Sequence, residues 1–232
     1  MGVRIGDKHT DDYSLTVTDM SISEPEVQTY SLEIPGRNGL LDLTEINGAV
    51  RYKNRTVKLS CVHQENRPYY WHSCYSELLK NYHGKRCNII FDSEKDYYYS
   101  GRLCISSTKN SQIHSSYTII ADCDPYAYEV QDRGEPWIWD IFNFDTGVIY
   151  QDNYYKVEIN GTKALTIQHN GQMPVTPTFE LISGALNVIY NGITYNLTAG
   201  NNTINEITIS SNCTLTLSGI GVLSIHYRGG KL

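Results

Sequence analysis

The stretch Ile34-Pro35-Gly36-Arg37-Asn38-Gly39-Leu40-Leu41-Asp42-Leu43-Thr44-Glu45 decides how the first part of this chain folds. Pro35 fixes its own φ angle and has no backbone N–H to donate, whereas Gly36 and Gly39 allow positive φ. A sharp turn between two strands is therefore predicted. We expect the three leucines that follow to return the chain at once to a buried apolar layer; they are Leu40, Leu41 and Leu43.

Alternating apolar residues predict a half-buried strand shortly after this turn. The tetrapeptide Tyr52-Lys53-Asn54-Arg55 leads into residues 56–62, where Val57, Leu59 and Cys61 alternate with polar residues. A period of two is typical of a strand that covers a core with one face.

An apolar stripe with a helical period predicts one long helix over about residues 71–83. The stripe occupies positions i, i+4, i+7, i+8 and i+11, and Gly84 follows it as a stop signal. Its members are Trp71, Tyr75, Leu78, Leu79 and Tyr82. Because strand patterns surround the helix, residues 1–129 are predicted to form a β-sandwich or rolled sheet that carries it.

A change of composition near residue 130 predicts a domain boundary, because Asn, Thr and Gly become more frequent and charged residues rarer after it. Residues 130–232 read as short strands separated by glycine turns. The turn at Asn191-Gly192 has the sequence of a type I′ hairpin. The predicted strands are 155–159, 165–169, 178–182, 186–190, 193–197, 205–209, 213–217 and 222–227. This pattern predicts a jelly-roll β-sandwich.

The charge balance argues against a surface that binds nucleic acid. The formal net charge is −6, and no run of Lys or Arg offers the clustered positive charge that phosphates need. The negative net charge is still compatible with a passive conduit through which DNA passes.

No apolar run approaches the roughly 20 residues of a membrane span, and the N-terminus lacks a signal-peptide pattern. We therefore expect a soluble protein that does not insert into membranes.

The sequence predicts no catalytic, cofactor or metal site. The cysteines contain no CxxC pair, so we expect free thiols made in a reducing cytosol rather than a zinc site or a disulfide framework. His63, His72 and His83 are not spaced as metal ligands. No GxSxG motif and no glycine-rich phosphate loop occurs.

The aromatic residues allow three interpretations. The chain has 19 tyrosines, and Tyr is enriched at protein interfaces because it joins a large apolar body to a polar tip. Subunit contact and ordinary core packing are two interpretations. The third is a carbohydrate platform on the second domain, formed by Trp137, Trp139, Tyr190 and Tyr195.

Motifs along most of the chain, in this order and spacing, resemble the distal tail protein (Dit) family of long non-contractile-tailed, siphovirus-type bacteriophages. The positions that carry the resemblance in the first domain are Pro35, Gly36, Arg37, Gly39, Asp42, Asn54, Arg55, Asp124 and Pro125. The helix 72–83, the hairpin strand 97–102 and the segments 174–180 and 227–232 add to it. The family's turn usually has Asp where this chain has Asn38, a change that keeps a turn-forming side chain.

The resemblance implies a structural hub without enzymatic activity. Its N-terminal domain, tail-tube-like in fold, would assemble into a hexameric ring, single or doubled back to back, and a galectin-like or carbohydrate-module-like C-terminal sandwich would decorate it. The implied partners are further copies of the chain, the tail-tube protein, the tail-tip protein and receptor-binding proteins, with DNA passing through the bore. The implied location is the distal end of the virion tail, assembled in the bacterial cytoplasm.

Two alternatives stay open. A tail-tube protein would share the first domain's fold but stack into long polymers. A carbohydrate-binding module of a host-cell adhesin would bind cell-wall glycans through residues 130–232.

Overall fold

The chain divides into two compact units. The computed structural model describes residues 2–46, 48–63, 67–110, 115–136, 154–169 and 171–232. The first unit comprises residues 1–94, 98–127 and 232, and the second comprises residues 95–97 and 128–231. The boundary predicted at 129/130 lies two residues from the division at 127/128.

The first unit is built on an antiparallel sheet with one helix. Its strands are β1 (Val3–Ile5), β2 (Lys8–His9), β3 (Leu15–Ile22), β4 (Ser31–Leu32), β5 (Leu41–Asp42), β6 (Arg55–His63), β7 (Arg86–Phe91), β8 (Glu94–Asn110) and β9 (Ser115–Cys123), and α1 spans Pro68–Tyr82. The sheet order is β2-β1-β7-β8-β9-β6-β3, whereas β4 and β5 form a separate two-stranded sheet.

The predicted alternation along β6 is confirmed. Val57, Leu59 and Cys61 are each at most 1% exposed, and the residues between them are exposed or half-buried. The neighbouring strand β9 alternates in the same way, with Tyr117, Ile119 and Ala121 buried. The two strands pair in register from Arg55↔Cys123 to Val62↔Ser116, so their inward side chains form one apolar face.

The helix begins three residues earlier than predicted, because Pro68 occupies its first turn with a φ already suited to a helix. Its buried stripe is Trp71, Cys74, Leu78 and Tyr82, while Tyr75 and Leu79 are half-buried beside it. The Tyr75 and Tyr117 rings stack at a centroid distance of 5.9 Å, which seats α1 on β9. No helix in the described part of the chain has the length and apolar character that crossing a membrane requires.

Long bent strands form the second unit. They are β11 (Val157–Ile167), β12 (Thr178–Tyr190), β13 (Ile193–Asn196), β14 (Gly200–Thr203) and β15 (Cys213–His226), in the order β11-β15-β12-β13 with β14 also paired to β12. Three pairs of predicted short strands are thus single strands. The strand predicted at 205–209 is reduced to an isolated bridge between Val175 and Ile209, and β14 was not predicted.

Each long strand bends near its middle. In β12, Phe179 and Leu181 are buried, residues 182–185 are exposed, and Leu186 and Val188 are buried again. A register shift lies between Leu181 and Ser183. Because residues from both ends of β11, β12 and β15 belong to one core cluster, the halves of these strands form the two layers of a β-sandwich.

The first and last strands of the second unit lie side by side. Strand β10 (Ala127–Glu129) pairs with β16 (Gly230–Lys231), and the Glu129 N–H donates to the Gly229 carbonyl at 2.9 Å. A buried ion pair at 2.8 Å joins the Arg133 guanidinium to the Glu129 carboxylate, which also accepts from the Gly229 N–H. The ends of this unit are therefore fastened together.

The predicted fold class is confirmed. The chain is mainly β, with a helix on the first unit's sheet and a β-sandwich in the second unit.

Candidate interaction surface

Residues 23–54 form a hairpin arm that leaves the sheet between β3 and β6. Its two strands, β4 and β5, pair with each other through Ser31↔Asp42 and Leu32↔Leu41 and, in the described residues, with no other strand. Nearer the sheet, the Gln28 N–H donates to the Arg51 carbonyl at 2.8 Å and the Lys53 N–H donates to the Glu26 carbonyl at 2.7 Å. The arm thus satisfies much of its own backbone, and none of its described side chains is fully buried.

The turn predicted at the tip of the arm is present. The Arg37 N–H donates to the Ile34 carbonyl at 3.1 Å, and Gly36 has φ +82°, so Pro35 and Gly36 occupy the central positions of a type II turn. Gly39 also has a positive φ, of +80°. The positive φ angles at these two positions therefore explain why the motif has glycine there.

The prediction that the leucines return to a buried layer is wrong. Leu40 is 60% exposed, and Leu41 and Leu43 are only half-buried, because the two-stranded arm has no second layer to cover them. Further large apolar side chains of the arm are also exposed: Val27 by 42%, Tyr30 by 56%, Leu32 by 52% and Ile46 by 70%. Clustered exposed apolar side chains mark interaction sites, and the arm is accordingly our candidate interaction surface.

The root of the arm contains a pocket of about 360 Å³, lined by Ile22, Ser23, Glu24, Pro25, Tyr52, Arg55 and Leu232. Arg55 is only 5% exposed, and its guanidinium carbon lies 5.7 Å from the centroid of the Tyr99 ring. Burial raises the pKa of Tyr99, and the Arg55 charge opposes that effect.

The remaining motif residues hold local structure. The Asp42 carboxylate accepts from the Thr44 N–H at 2.9 Å, and hydrogen bonds from the Thr44 side chain and then its backbone lower the pKa of Asp42. The Asp124 carboxylate pairs with the Arg86 guanidinium. Asn54 and Arg37 are exposed, and Pro125 is half-buried.

Only part of the predicted carbohydrate platform lies in the described residues. Tyr190 and Tyr195 are half-buried and pack against the core cluster of the second unit. They stand on the paired strands β12 and β13, where Tyr190 opposes Ile193 and Tyr195 opposes Val188. Trp137 and Trp139 lie outside the described residues, and the platform stays a prediction.

All six cysteines are free thiols in different environments. Cys61, Cys74 and Cys123 are buried, and burial is the largest cause that raises their pKa values, to about 11, 12 and 12. Cys87 and Cys213 are half-buried, and Cys104 is exposed. Since the thiolate is the nucleophile, the buried thiols should be unreactive near neutral pH.

We expect one rapidly reacting thiol in the native chain. At pH 8, a disulfide reagent such as DTNB should label Cys104 first, and all six cysteines should react only after denaturation, as mass spectrometry of labelled peptides would show. Cys104→Ser should remove the fast phase and leave the rest. Rapid labelling of Cys61, Cys74 or Cys123 in the folded chain would contradict the described burial.

In the described residues, no group of three His, Cys, Asp or Glu side chains has an arrangement that could hold a metal ion. His83 is instead used within the backbone network, since its Nδ1 accepts from the Ile105 N–H at 3.0 Å. The arm and its root are thus the features that call for a functional explanation.

Comparison with solved structures finds a chain with the same architecture. The crystal structure of the Dit protein (gp 19.1) of phage SPP1, described as a paradigm of the hub adsorption apparatus in phages that infect Gram-positive bacteria, matches with a TM-score of 0.62. The match covers 100% of this chain and 99% of that chain at 12% sequence identity. This chain has a Dit-like fold. The Dit-like fold extends over both units, so neither unit is an addition to it.

A second match is the baseplate of phage p2 in its activated conformation with Sr, with a TM-score of 0.38 and 10% identity over 98% of this chain and 96% of that one. No family model matches the sequence. No curated protein matches it either.

Proposed function

We propose that this chain is the structural hub of a bacteriophage tail tip. It forms a hexameric ring that joins the tail tube to the tail-tip protein and anchors receptor-binding proteins. The observation that carries the proposal is the likeness to the SPP1 hub protein over the full length of both chains. The order of the motifs from Pro35 to Pro125 supports it independently of the fold.

The hairpin arm supports assembly from identical copies. Among its described residues, no apolar side chain is fully buried in its own unit, yet five large apolar side chains are exposed to solvent. A surface on one copy that binds a different surface on the next gives a head-to-tail interface, and such interfaces form rings when the rotation closes. The arm is the segment best suited to reach a neighbouring copy.

The charge supports passage of DNA rather than binding to it. Each copy has a formal net charge of −6, which a ring multiplies. A bore of that sign repels phosphates, so DNA slides through without being held. The protein then acts at the distal end of the virion tail, after assembly in the host cytoplasm, and performs no catalysis.

The oligomeric state tests this proposal. We expect the purified full chain to elute from a sizing column with light scattering at the mass of six copies, or of a double ring, and to show closed rings in negative-stain images. Long tubes would instead favour a tail-tube protein. A chain that stays monomeric at high concentration, or turns over a substrate, would refute the proposal.

A further inference from the structure

Arg55 occupies a place in the sheet that normally holds an apolar residue. Strand β6 buries alternate side chains, and Arg55 stands in the same inward series as Val57, Leu59 and Cys61. Its Nε and Nη2 atoms are buried and have no hydrogen-bond partner among the described residues. No Asp or Glu side chain in the described part of the chain forms an ion pair with the guanidinium.

A buried guanidinium is unfavourable when some of its N–H groups have no acceptor. Taking N–H groups of a charged side chain out of water costs their full hydration unless an acceptor replaces it. The Tyr99 ring lies 5.7 Å from the guanidinium carbon, and a hydrogen bond with Arg55 lowers the pKa of Tyr99, but Nε and Nη2 of Arg55 stay without an acceptor in the described residues. Since the planar guanidinium fork matches a carboxylate with two parallel hydrogen bonds, an anionic group that enters from outside would satisfy it.

The lining of the pocket selects the kind of anion. Ile22, Pro25 and Tyr52 give it apolar walls, and Glu24 places a negative charge in the same lining. A free, multiply charged anion would meet that carboxylate and would bury none of the walls. A single carboxylate carried on an apolar segment suits both features.

The arm itself carries such segments. Apart from Glu24, which lines the pocket, and Glu26, which pairs with Lys53, three acidic residues of the arm adjoin an exposed or half-buried apolar side chain, in the dipeptides Leu32-Glu33, Leu41-Asp42 and Glu45-Ile46. All three carboxylates are exposed, and none forms an ion pair among the described residues. Asp42 is already oriented by the Thr44 N–H.

We propose that the Arg55 pocket binds an acidic side chain from the arm of a second copy of this chain. The inference rests on the proposed ring and deepens it, because it names the group in the receiving copy that the arm contacts. The apolar side chains of the arm then cover the pocket walls while the carboxylate pairs with Arg55.

The variant Arg55→Met tests the proposal, because a structural role and an interface role predict opposite effects. Methionine removes an unpaired charge from an inward position, so the melting temperature should stay unchanged or rise at concentrations where both proteins are monomeric. Association measured by sedimentation velocity should weaken by about tenfold or more per interface, as expected when one partner of a buried ion pair is removed. A fall in monomer stability with unchanged association would overturn the inference.

Amide substitutions test whether acidic residues of the arm supply the carboxylate that pairs with Arg55. The combined variant Glu33→Gln, Asp42→Asn and Glu45→Gln should weaken association as Arg55→Met does, and adding Arg55→Met to it should weaken association little further. Glu26→Gln is the matched control, because Glu26 is exposed on the same arm but pairs with Lys53 of its own chain at 3.0 Å. Independent, additive losses from the two changes would refute the pairing.

Two further outcomes count against the inference. If Glu24→Gln weakens association as much as Arg55→Met, the partner of Arg55 is Glu24, which lines the same pocket, and not one of the three acidic residues proposed to supply the carboxylate. If inorganic phosphate raises the melting temperature of the parent chain but not of Arg55→Met, the pocket binds a free anion. Rings formed equally well by Arg55→Met would refute this pairing while leaving the proposed function standing, whereas a parent chain that never associates would refute the proposed function itself.

Discussion

Replacing Gly184 by alanine should destabilise the second unit by about 3–5 kcal/mol, a large part of the stability of a typical domain. Gly184 lies at the bend of β12 with φ +88°, a conformation that costs a non-glycine residue about 1–2 kcal/mol. A Cβ at this position would also lie 2.1 Å from the Ile220 carbonyl oxygen and 2.6 Å from the Gly221 Cα on β15. Because those atoms are backbone, relief requires separating two paired strands.

Hydrogen exchange followed by mass spectrometry measures this effect in the full chain. Amides of β12 and β15 should exchange roughly a hundred to several thousand times faster in Gly184→Ala, as about 3–5 kcal/mol implies, while those of β6 and β9 in the first unit should keep their protection. Gly192→Ala is the matched control, since Gly192 has φ +79° but its Cβ would meet no atom within 4 Å. It should cost only about 1–2 kcal/mol. Equal losses in the two variants would show that strand contact at the bend is unimportant.

Removing the arm should abolish the proposed ring and leave the fold intact. In this variant, residues 25–53 are replaced by a short Asn-Gly turn that keeps the pairing of β3 with β6 near Ser23 and Thr56. None of the replaced side chains is buried in the described structure, so the melting temperature should change by no more than a few degrees. The mass in solution should fall to that of a single chain.

The size of this effect follows from the exposed apolar side chains. Each contributes roughly 1–2 kcal/mol when its exposed part leaves water, and five of them lie on the arm, so the association constant should fall by several powers of ten. Ile46→Ser tests one of them against Ile220→Ser, because Ile46 is 70% exposed on the arm and Ile220 is 69% exposed in the second unit. Ile46→Ser alone should weaken association. If both variants weaken it equally, or if the shortened chain still forms rings, the arm is not the ring contact.

Local periodicity was sufficient to predict several elements. The alternation around Val57 and Leu59 and the helical stripe from Trp71 to Tyr82 report burial against the chain's own core, and the structure confirms both. Asn191-Gly192 was predicted as a two-residue turn because both residues tolerate positive φ, and they have φ +49° and +79° between the paired residues Tyr190 and Ile193.

The strand count of the second unit could not be predicted from the same signals. Gly184 and Gly219 resemble turn residues because a turn and a bend both favour glycine. In this fold the hydrogen-bonded ladder between β12 and β15 continues through them, with Leu186 opposite Gly219. Whether a glycine ends a strand or bends it depends on the partner strand, which lies far away in the sequence.

The candidate interaction surface was mispredicted for a related reason. A leucine that packs on its own core and one that packs on another molecule produce the same apolar pattern, so Leu40 was predicted to be buried in its own unit. Arg55 was noticed only as part of a motif. Its burial depends on the inward series of β6 and on Tyr99 of a distant strand, which no local pattern indicates.

The pairing of β10 with β16 has a consequence for how such proteins diversify. The backbone departs for the second sandwich and comes back at almost the same place, fastened there by Glu129 and Arg133. An excursion whose ends meet can be exchanged for a different one with little demand on the rest of the chain. A foreign domain grafted between Arg133 and Gly229 would keep both the strand pair and the ion pair that fasten the two ends.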